Sequence, residues 1–316
     1  MAYAGPLLTR RRVLAASVET TPGTAEVLAA ADGVFNVFDA SMQADMDFED
    51  RLGQVAFGRL PSIAGARGAT CTFAIELHGS GTGGSPVPAW ASVFFPACGM
   101  VADGGAFAPS TLGPDATGAV KSLTLGLYED GIYKKMTGAM GNAVFQFAAG
   151  KVVRVEFTFS GIWCAPTDVA VLAPNYPAIK PLRFADASMT IASWAPKIAD
   201  MSIDLGNEVV LREDANQAAG YITAIVTDRR VNGSLNSEAA LVATQNSYGQ
   251  WLASTEQALA LSLGATAGNV VAFAAPKLQF LNVQEGDRNG IHVDDITFQC
   301  NRSADAGDDE FTVTFT

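Results

Sequence analysis

Histidine and cysteine are scarce in this chain. Its 316 residues include two histidines and four cysteines. The cysteines (Cys71, Cys98, Cys164 and Cys300) are far apart, and none forms a C-x-x-C pair. A zinc site, which needs several Cys or His ligands at characteristic spacings, is therefore not expected. Free thiols in a reducing compartment are the simplest interpretation.

Charge is also low. Charged residues make up 16% of the chain, against roughly 25% in a typical soluble protein. Because interface cores are depleted of charge, this is a first indication of assembly, with a weakly charged monomer as the alternative. The net charge of −12 and the pI near 4.6 disfavour binding to nucleic acid or to an anionic membrane surface.

Apolar runs of the kind used for targeting or for membrane spans are missing. The segment "TRRRVLAASVET" has twin arginines, but Glu19 ends its apolar stretch before it reaches the roughly 7–15 residues of a signal peptide. Residues 79–102 lack charge but are rich in Gly, Ser and Pro, unlike a spanning helix of about 20 apolar residues. Neither secretion nor membrane insertion is predicted.

Alternation of apolar and polar residues is abundant. In "KVVRVEFTFSGIW" (residues 151–163), the positions from Val153 to Phe159 alternate with Arg154, Glu156 and Thr158. This pattern predicts a strand with one buried face. Hairpins are predicted where Asp130-Gly131, Ala149-Gly150 and Gly268-Asn269 separate alternating runs. The first two would give a meander of four strands, and the chain as a whole should be mainly β with few helices.

Two helices are predicted, one in each half of the chain. "PAWASVFFPACG" starts near Pro88 and should break or kink at Pro96. "SEAALVATQNSYGQWLAS", from Ser237 to Ser254, has an apolar stripe of helical period, with Ser237 as its cap.

The order of elements repeats, which predicts a tandem duplication. The expected units are residues 1–163 and residues 183–316, each a β-sandwich or barrel with a flanking helix. A Pro-rich linker at 164–182 would separate them. The first unit contains a Gly/Ala-rich excursion at about 45–68, read as a long loop rather than a core element.

Motifs for catalysis or cofactor binding are weak. His78 and His292 adjoin no Ser or Cys nucleophile in sequence, so solvated or strand-end histidines are favoured. Gly79, Gly81 and Gly84 match a dinucleotide-binding spacing, but the βαβ context is missing and a Gly/Ser loop is favoured. The acidic clusters "DMDFED" and "SADAGDDE" lack a calcium-loop pattern. No enzyme activity, cofactor or metal is expected.

Six segments resemble one known family over nearly the whole chain. They are "ETTPGTAEVLAAADGVFNVFDA", "DMDFEDRLGQ", "LPSIAGARGATCTFAIELHGSG", "PAWASVFFPACGM", "DLGNEVVLRED" and "NVQEGDRNGIHVDDITFQCNRSADAGDDEFTVTF". Together they are similar to the major tail tube proteins of long-tailed, non-contractile bacteriophages and Mu-like prophages. The resemblance implies a subunit of stacked rings in the virion tail, assembled in the host cytoplasm. It also implies the tape measure, tail terminator and distal tail proteins as partners.

The resemblance implies two sets of site residues. In this family a long loop reaches the adjacent ring, which makes the following residues candidates for inter-ring contact: Phe48, Arg51, Phe57, Arg59 and Leu60. Inner strands join across subunits around a lumen. The lumen candidates, on "KVVRVEFTFSG" and its counterpart "HVDDITFQC", are Arg154, Glu156, Thr158, Asp294, Asp295 and Thr297. A negative lumen would let DNA slide through without being held.

Ring size stays open between a hexamer of single-copy subunits and a trimer of duplicated ones, with the trimer favoured by the repeat. The competing hypothesis is a two-domain β-sandwich binding module, such as an adhesin or carbohydrate binder. Its expected aromatic platform is disfavoured by the scattered positions of Trp90, Trp163, Trp194 and Trp251.

Overall fold

The computed structural model describes residues 6–55 and 57–316, which form seventeen strands, two α-helices and one 3-10 helix (Ala30–Gly33). The first strands are β1 (Arg12–Val18), β2 (Val37–Leu52), β3 (Arg59–Glu76), β4 (Met100–Asp103), β5 (Ala106–Pro109), β6 (Leu123–Glu129), β7 (Ile132–Ala148) and β8 (Arg154–Asp168). The later strands are β9 (Ser188–Ile191), β10 (Ile198–Asp204), β11 (Asn207–Glu213), β12 (Tyr221–Arg229), β13 (Asn232–Glu238), β14 (Glu256–Thr266), β15 (Asn269–Arg288), β16 (Ile291–Asn301) and β17 (Thr312–Phe315). The helices are α1 (Ala89–Ala97) and α2 (Ser247–Leu252). The prediction of a mainly β chain with few helices is confirmed.

One antiparallel sheet runs through both halves of the chain. Its central path has the order β2-β3-β8-β7-β10-β13-β16-β15 and continues through β17 to β5 and β4. The halves join where β7 pairs with β10, with Phe145 opposite Ile203 and Phe147 opposite Met201. The same arrangement of four strands therefore occurs on each side of this junction.

The apolar side of the sheet packs into a core that both halves share. Phe94 of α1 lies 5.0 Å from Phe73 of β3 and 5.2 Å from Phe157 of β8, measured between ring centroids. Phe145 of β7 meets Phe273 of β15 at 5.2 Å. Aromatic pairs at these separations add packing energy beyond burial alone. Aromatic contacts therefore hold the two halves together in addition to the β7–β10 pairing.

The hairpins predicted from Asp-Gly and Gly-Asn pairs form at those positions. Asp130 and Gly131 both have positive φ, 43° and 110°, between β6 and β7. Gly268, at φ 81°, turns β14 into β15. The meander has three strands, however, because β7 is one continuous strand that serves both the hairpin before it and the hairpin after it. The two runs within β7 are separated by Gly138, Gly141 and Asn142, residues that are typical of turns, but Gly138 forms a bulge at φ 59° and the strand continues.

The first helix matches its prediction, and the second is wrong over most of its length. Residues up to Glu238 belong to β13, where Ser237 is buried opposite Asp294 of β16 rather than capping a helix. The short α2 begins later and is capped by Asn246, whose side chain accepts from the Gly249 N–H at 2.8 Å. Of the predicted helix, only Ser237 and Glu238 pair with β16, and residues 239–246 form a turn and irregular backbone before α2 begins, so tertiary context overrides the weak helical period.

The excursion at residues 45–68 is a projecting β-hairpin, and its prediction as a loop is wrong. The outer parts of β2 and β3 pair from Asp45 opposite Gly68 to Leu52 opposite Arg59, and their side chains are mostly exposed. Because neither face of residues 45–65 is buried by the protein's own chain, this part lacks the apolar alternation that marks a half-buried strand.

A second hairpin, formed by β11 and β12, folds back instead of projecting. It bends away from β10 at Gly206, where φ is 63° and an added Cβ would lie 2.0 Å from the Arg230 carbonyl oxygen. Its strands contact β7 and β8. At its tip, the Arg67 N–H donates to the Ala219 carbonyl at 3.0 Å. The β11–β12 hairpin is therefore covered by the first half, whereas the outer part of the β2–β3 hairpin is exposed.

The segment expected as a linker is partly strand. Residues 164–168 complete β8, and the irregular part follows at 169–182. This part is anchored by the Leu182 N–H, which donates to the Leu77 carbonyl at 2.8 Å, and the Val153 N–H donates to the Leu182 carbonyl at 3.0 Å. The Pro-rich stretch is thus bound along the first half rather than standing free.

Candidate lumen face and assembly surfaces

The second face of the sheet is largely polar from β3 to β15. Residues directly opposite each other in antiparallel strands share a face, so the register defines rows that cross the sheet. One row runs Glu76, Arg154, Gln146, Ser202, Ser234, Thr297 and Asn282. The neighbouring row runs Ala74, Glu156, Val144, Asp204, Asn232, Gln299 and Gln279. Amides and hydroxyls dominate the first row, and the second row combines three amides with two carboxylates and the apolar Ala74 and Val144.

Five of the six residues expected at the lumen lie on this polar face. Arg154 and Thr297 belong to the same row although they come from different halves, and Glu156, Thr158 and Asp295 lie on the same face. Their side chains are exposed.

Asp294 lies on the opposite side and is buried, with a carboxyl pKa raised chiefly by desolvation. Alternation along β16 turns consecutive aspartates to opposite faces, so Asp294 cannot accompany Asp295. Asp294 is therefore not part of the polar face.

The middle of the polar face is concave. It forms a groove of about 750 Å³ whose lining includes Arg154, Gln146, Ser202, Asn236 and Thr297. Carboxylates outnumber cations on the face. The acidic side chains are Glu76, Glu156, Asp200, Asp204 and Asp295, and Arg154 is the basic one that shares their rows. The face is thus hydrogen-bonding and mildly acidic.

Both outer edges of the eight-strand path are open in the part of the chain that the structure describes. β2 pairs with β3 alone. β15 pairs with β14 only as far as Gln279, so residues 280–288 pair with β16 on one side and with nothing on the other. Unpaired edges of this kind are templates for pairing with another chain.

The projecting hairpin carries the residues expected to reach another ring. Phe48 is 60% exposed, Phe57 is fully exposed, and Leu60 also faces solvent. Arg59 forms an ion pair with Asp50 on the opposite arm, and Arg51 is exposed beside it. Several large apolar side chains thus stand together on an arm that contributes nothing to the core.

A projecting apolar hairpin, two open edges and a polar concave face suit a subunit of a hollow assembly. A family model described as phage tail tube protein matches residues 9–316. The chain belongs to the phage tail tube protein family. A comparison with curated proteins found no match. The role of this tail tube protein is therefore structural, as a component of the phage tail.

The residues considered for catalysis have structural surroundings in this tail tube protein. His78 accepts at its carbonyl from the Trp90 indole N–H at 3.2 Å, and burial lowers the pKa of its ring. Gly79 packs so close to the Gly268 carbonyl oxygen that an added Cβ would lie 2.2 Å from it. Gly79 and Gly268 thus permit a close approach between a loop of the first half and the β14–β15 turn of the second, whereas Gly84 faces open space.

Three further features concern the tryptophans, the metal-ligating side chains and the helices. None of the four tryptophans is exposed, so they offer no aromatic platform for a sugar. Among the described residues, no cluster of His, Cys, Asp or Glu is arranged to hold a metal ion. No helix in the described ranges has the length and apolar character needed to cross a membrane.

One buried carboxylate, that of Glu19, was not predicted from the sequence. Glu19 follows β1 and is 1% exposed. It accepts hydrogen bonds from Ser122 Oγ at 2.6 Å, Thr124 Oγ1 at 2.9 Å and the backbone N–H groups of Gly23 and Gly138, both at 2.7 Å. In sequence this residue only interrupts an apolar run, and no spacing rule indicates its four donors.

Proposed function

We propose that the tail tube protein closes into a ring through its two open sheet edges and that rings stack into a tube with the polar face inward. The main observation that supports this proposal is the β7–β10 junction. It joins two equivalent four-strand units within one chain, so the same joint can be made between chains. In that joint, residues 280–288 of β15 take the place of β7, and β2 of the next copy takes the place of β10.

The internal junction predicts the register of the joint between copies. Within the chain, Gln146 of β7 lies opposite Arg154 on one side and Ser202 of β10 on the other. In the second unit Gln284 holds the position of Gln146, because it lies opposite Asp295, the counterpart of Arg154. In the first unit Phe38 holds the position of Ser202. We therefore expect Gln284 of one copy to lie opposite Phe38 of the next.

A trimer is the proposed ring. Because each chain supplies two four-strand units, three copies give a closed barrel of about 24 strands, beyond the 16–18 strands that already leave an aqueous channel. The proposed units are residues 1–168 and residues 183–316, joined by the irregular segment 169–182, since residues 164–168 complete β8.

The proposed lumen is a passive conduit for DNA. Its carboxylates outnumber Arg154, the cation that shares their rows, so the wall repels phosphates more strongly than it holds them. By membership of the family, we also propose contact with the tape measure, tail terminator and distal tail proteins. Assembly in the host cytoplasm agrees with the buried, unpaired thiols of Cys71, Cys98 and Cys300.

The ring joint can be tested with a cysteine pair. In the variant carrying Gln284→Cys and Phe38→Cys, oxidation of assembled protein should link neighbouring copies, because directly opposite strand residues lie within disulfide range. Denaturing gels should show dimers and trimers, with the closed trimer as the largest product. A series that continues to hexamers would replace the trimer by a hexamer.

Matched controls define the register. Each single cysteine alone should give no linked ladder, and Gln284→Cys combined with Ser41→Cys should link far less, because Ser41 lies further along β2. Rings that are visible by electron microscopy but link equally in both pairs would refute the proposed register. A protein that forms neither rings nor tubes at any concentration would refute the assembly itself.

The lumen charge has its own expected result. Replacing Glu156, Asp200 and Asp295 by lysine should leave tubes intact but make them retain double-stranded DNA at low salt. Retention should fall steeply with salt, since bound phosphates release counterions. DNA protection from nuclease measures this, with Glu208, Glu213 and Asp214 of the β11–β12 hairpin changed to lysine as the control. Equal retention by both variants would argue against an inward polar face.

A further inference from the structure

A second exposed apolar surface lies at the end of the molecule opposite the projecting hairpin. Residues 239–255 contain no charged side chain. Within them Leu241 is 81% exposed and Val242 is 69% exposed, and Leu252 of α2 is exposed as well. We call residues 239–255 the apolar shelf. Exposed apolar clusters on soluble proteins commonly mark interaction sites.

The shelf is held in place rather than loosely attached. The Ala239 N–H donates to the His292 carbonyl of β16 at 3.0 Å. The Leu241 carbonyl accepts from the N–H groups of Thr244 at 2.7 Å and Gln245 at 3.0 Å, which fixes a turn. Gln245 is mostly buried and donates through its side chain to Gln250 Oε1 at 2.7 Å. The exposed leucine and valine are therefore presented on a rigid support.

Strand direction places the shelf and the hairpin at opposite ends. β3 leads from the hairpin tip at Arg59 towards Glu76, which lies in the same row as Ser234 of β13. β13 runs in the same direction and ends at Glu238, where the shelf begins. The hairpin leaves the sheet at one end of the strands, and the shelf lies beyond the other end.

Two apolar surfaces at opposite ends suit head-to-tail association, in which two different patches of identical copies cover each other. We propose that the apolar shelf is the docking site for the projecting hairpin of a second copy in the adjacent ring. This inference rests on the proposed stacking of rings. Phe57 at the tip is the anchor, since large exposed aromatic residues at the centre of an interface carry most of its binding energy.

The test uses the double variant Leu241→Ser, Val242→Ser. We expect it to form rings like the unmodified protein but to need a roughly tenfold or higher concentration to form tubes, which corresponds to a modest loss of contact energy per joint. Electron microscopy and sedimentation measure rings and tubes separately. The matched control is Val27→Ser, Leu112→Ser, which removes two other exposed apolar side chains and should leave tube formation unchanged.

A cysteine pair identifies the occupant. Val242→Cys combined with Phe57→Cys should link copies of adjacent rings on oxidation, and neither single variant should do so. Tubes of unaltered stability in the serine variant would overturn the inference. Loss of tubes without linkage would also overturn it, because another partner would then cover the shelf. Absence of rings in the unmodified protein would instead count against the proposed function.

Discussion

Replacing Glu19 by alanine is expected to lower the free energy of unfolding by roughly 4–6 kcal/mol, enough to leave many proteins of ordinary stability largely unfolded. The carboxylate accepts two hydroxyl and two backbone N–H groups in a site closed to water. An alanine leaves the Gly23 and Gly138 N–H groups buried without acceptors. Gly138 is also at φ 59°, so the bulge of β7 that it forms depends on this contact.

Chemical denaturation of protein diluted below the assembly threshold measures this effect. Glu19→Gln should lower the free energy of unfolding less than Glu19→Ala does. The amide oxygen of glutamine still accepts from some of the four donors, although its NH₂ group faces the others. Glu26→Ala is the matched control. Glu26 accepts from the Thr20 N–H at 2.9 Å on the exposed surface, where water can replace it, and its loss should change stability little. Equal effects at Glu19 and Glu26 would contradict the role assigned to burial.

Replacing Phe48, Phe57 and Leu60 together by serine is expected to abolish tubes while leaving rings. These side chains are exposed on the projecting hairpin and contribute nothing to the fold of their own chain. Burying one such side chain in a neighbour stabilises the contact by about 1.5–3 kcal/mol, and the contact repeats around every ring. Electron microscopy of the variant should show single rings at concentrations where the unmodified protein forms tubes.

The charged residues of the same hairpin provide the comparison. Arg51→Gln, Arg59→Gln removes two guanidinium groups, one of them paired with Asp50 on the surface, and exposed pairs contribute about 0–1 kcal/mol. This variant should shift tube formation far less than the serine variant. The opposite order of effects would assign the inter-ring contact to charge rather than to apolar burial.

Local pattern was a good guide wherever one face of a strand is buried and the other is polar. The alternation around Arg154 and Glu156 placed β8 correctly, and the Asp130-Gly131 turn lies where the sequence predicts it. Prediction from local pattern failed where a segment does not have one buried face and one exposed face. The projecting hairpin has two exposed faces, and the segment from Ser237 to Ser254 ends a strand, passes through a turn and becomes helical only at 247–252. Period alone cannot resolve either case.

By itself, the sequence determined that this is a β-rich chain with little charge, few ligating residues and strands that have one polar face. It also placed Arg154, Glu156, Thr158, Asp295 and Thr297 on polar strand faces, because the period of a strand is two. The tertiary structure alone decided that the polar faces of both halves share rows, that Asp294 turns away from them, and that the residue interrupting an apolar run, Glu19, is a buried acceptor. These outcomes depend on register and on donors from distant segments, which meet only when the sheet forms.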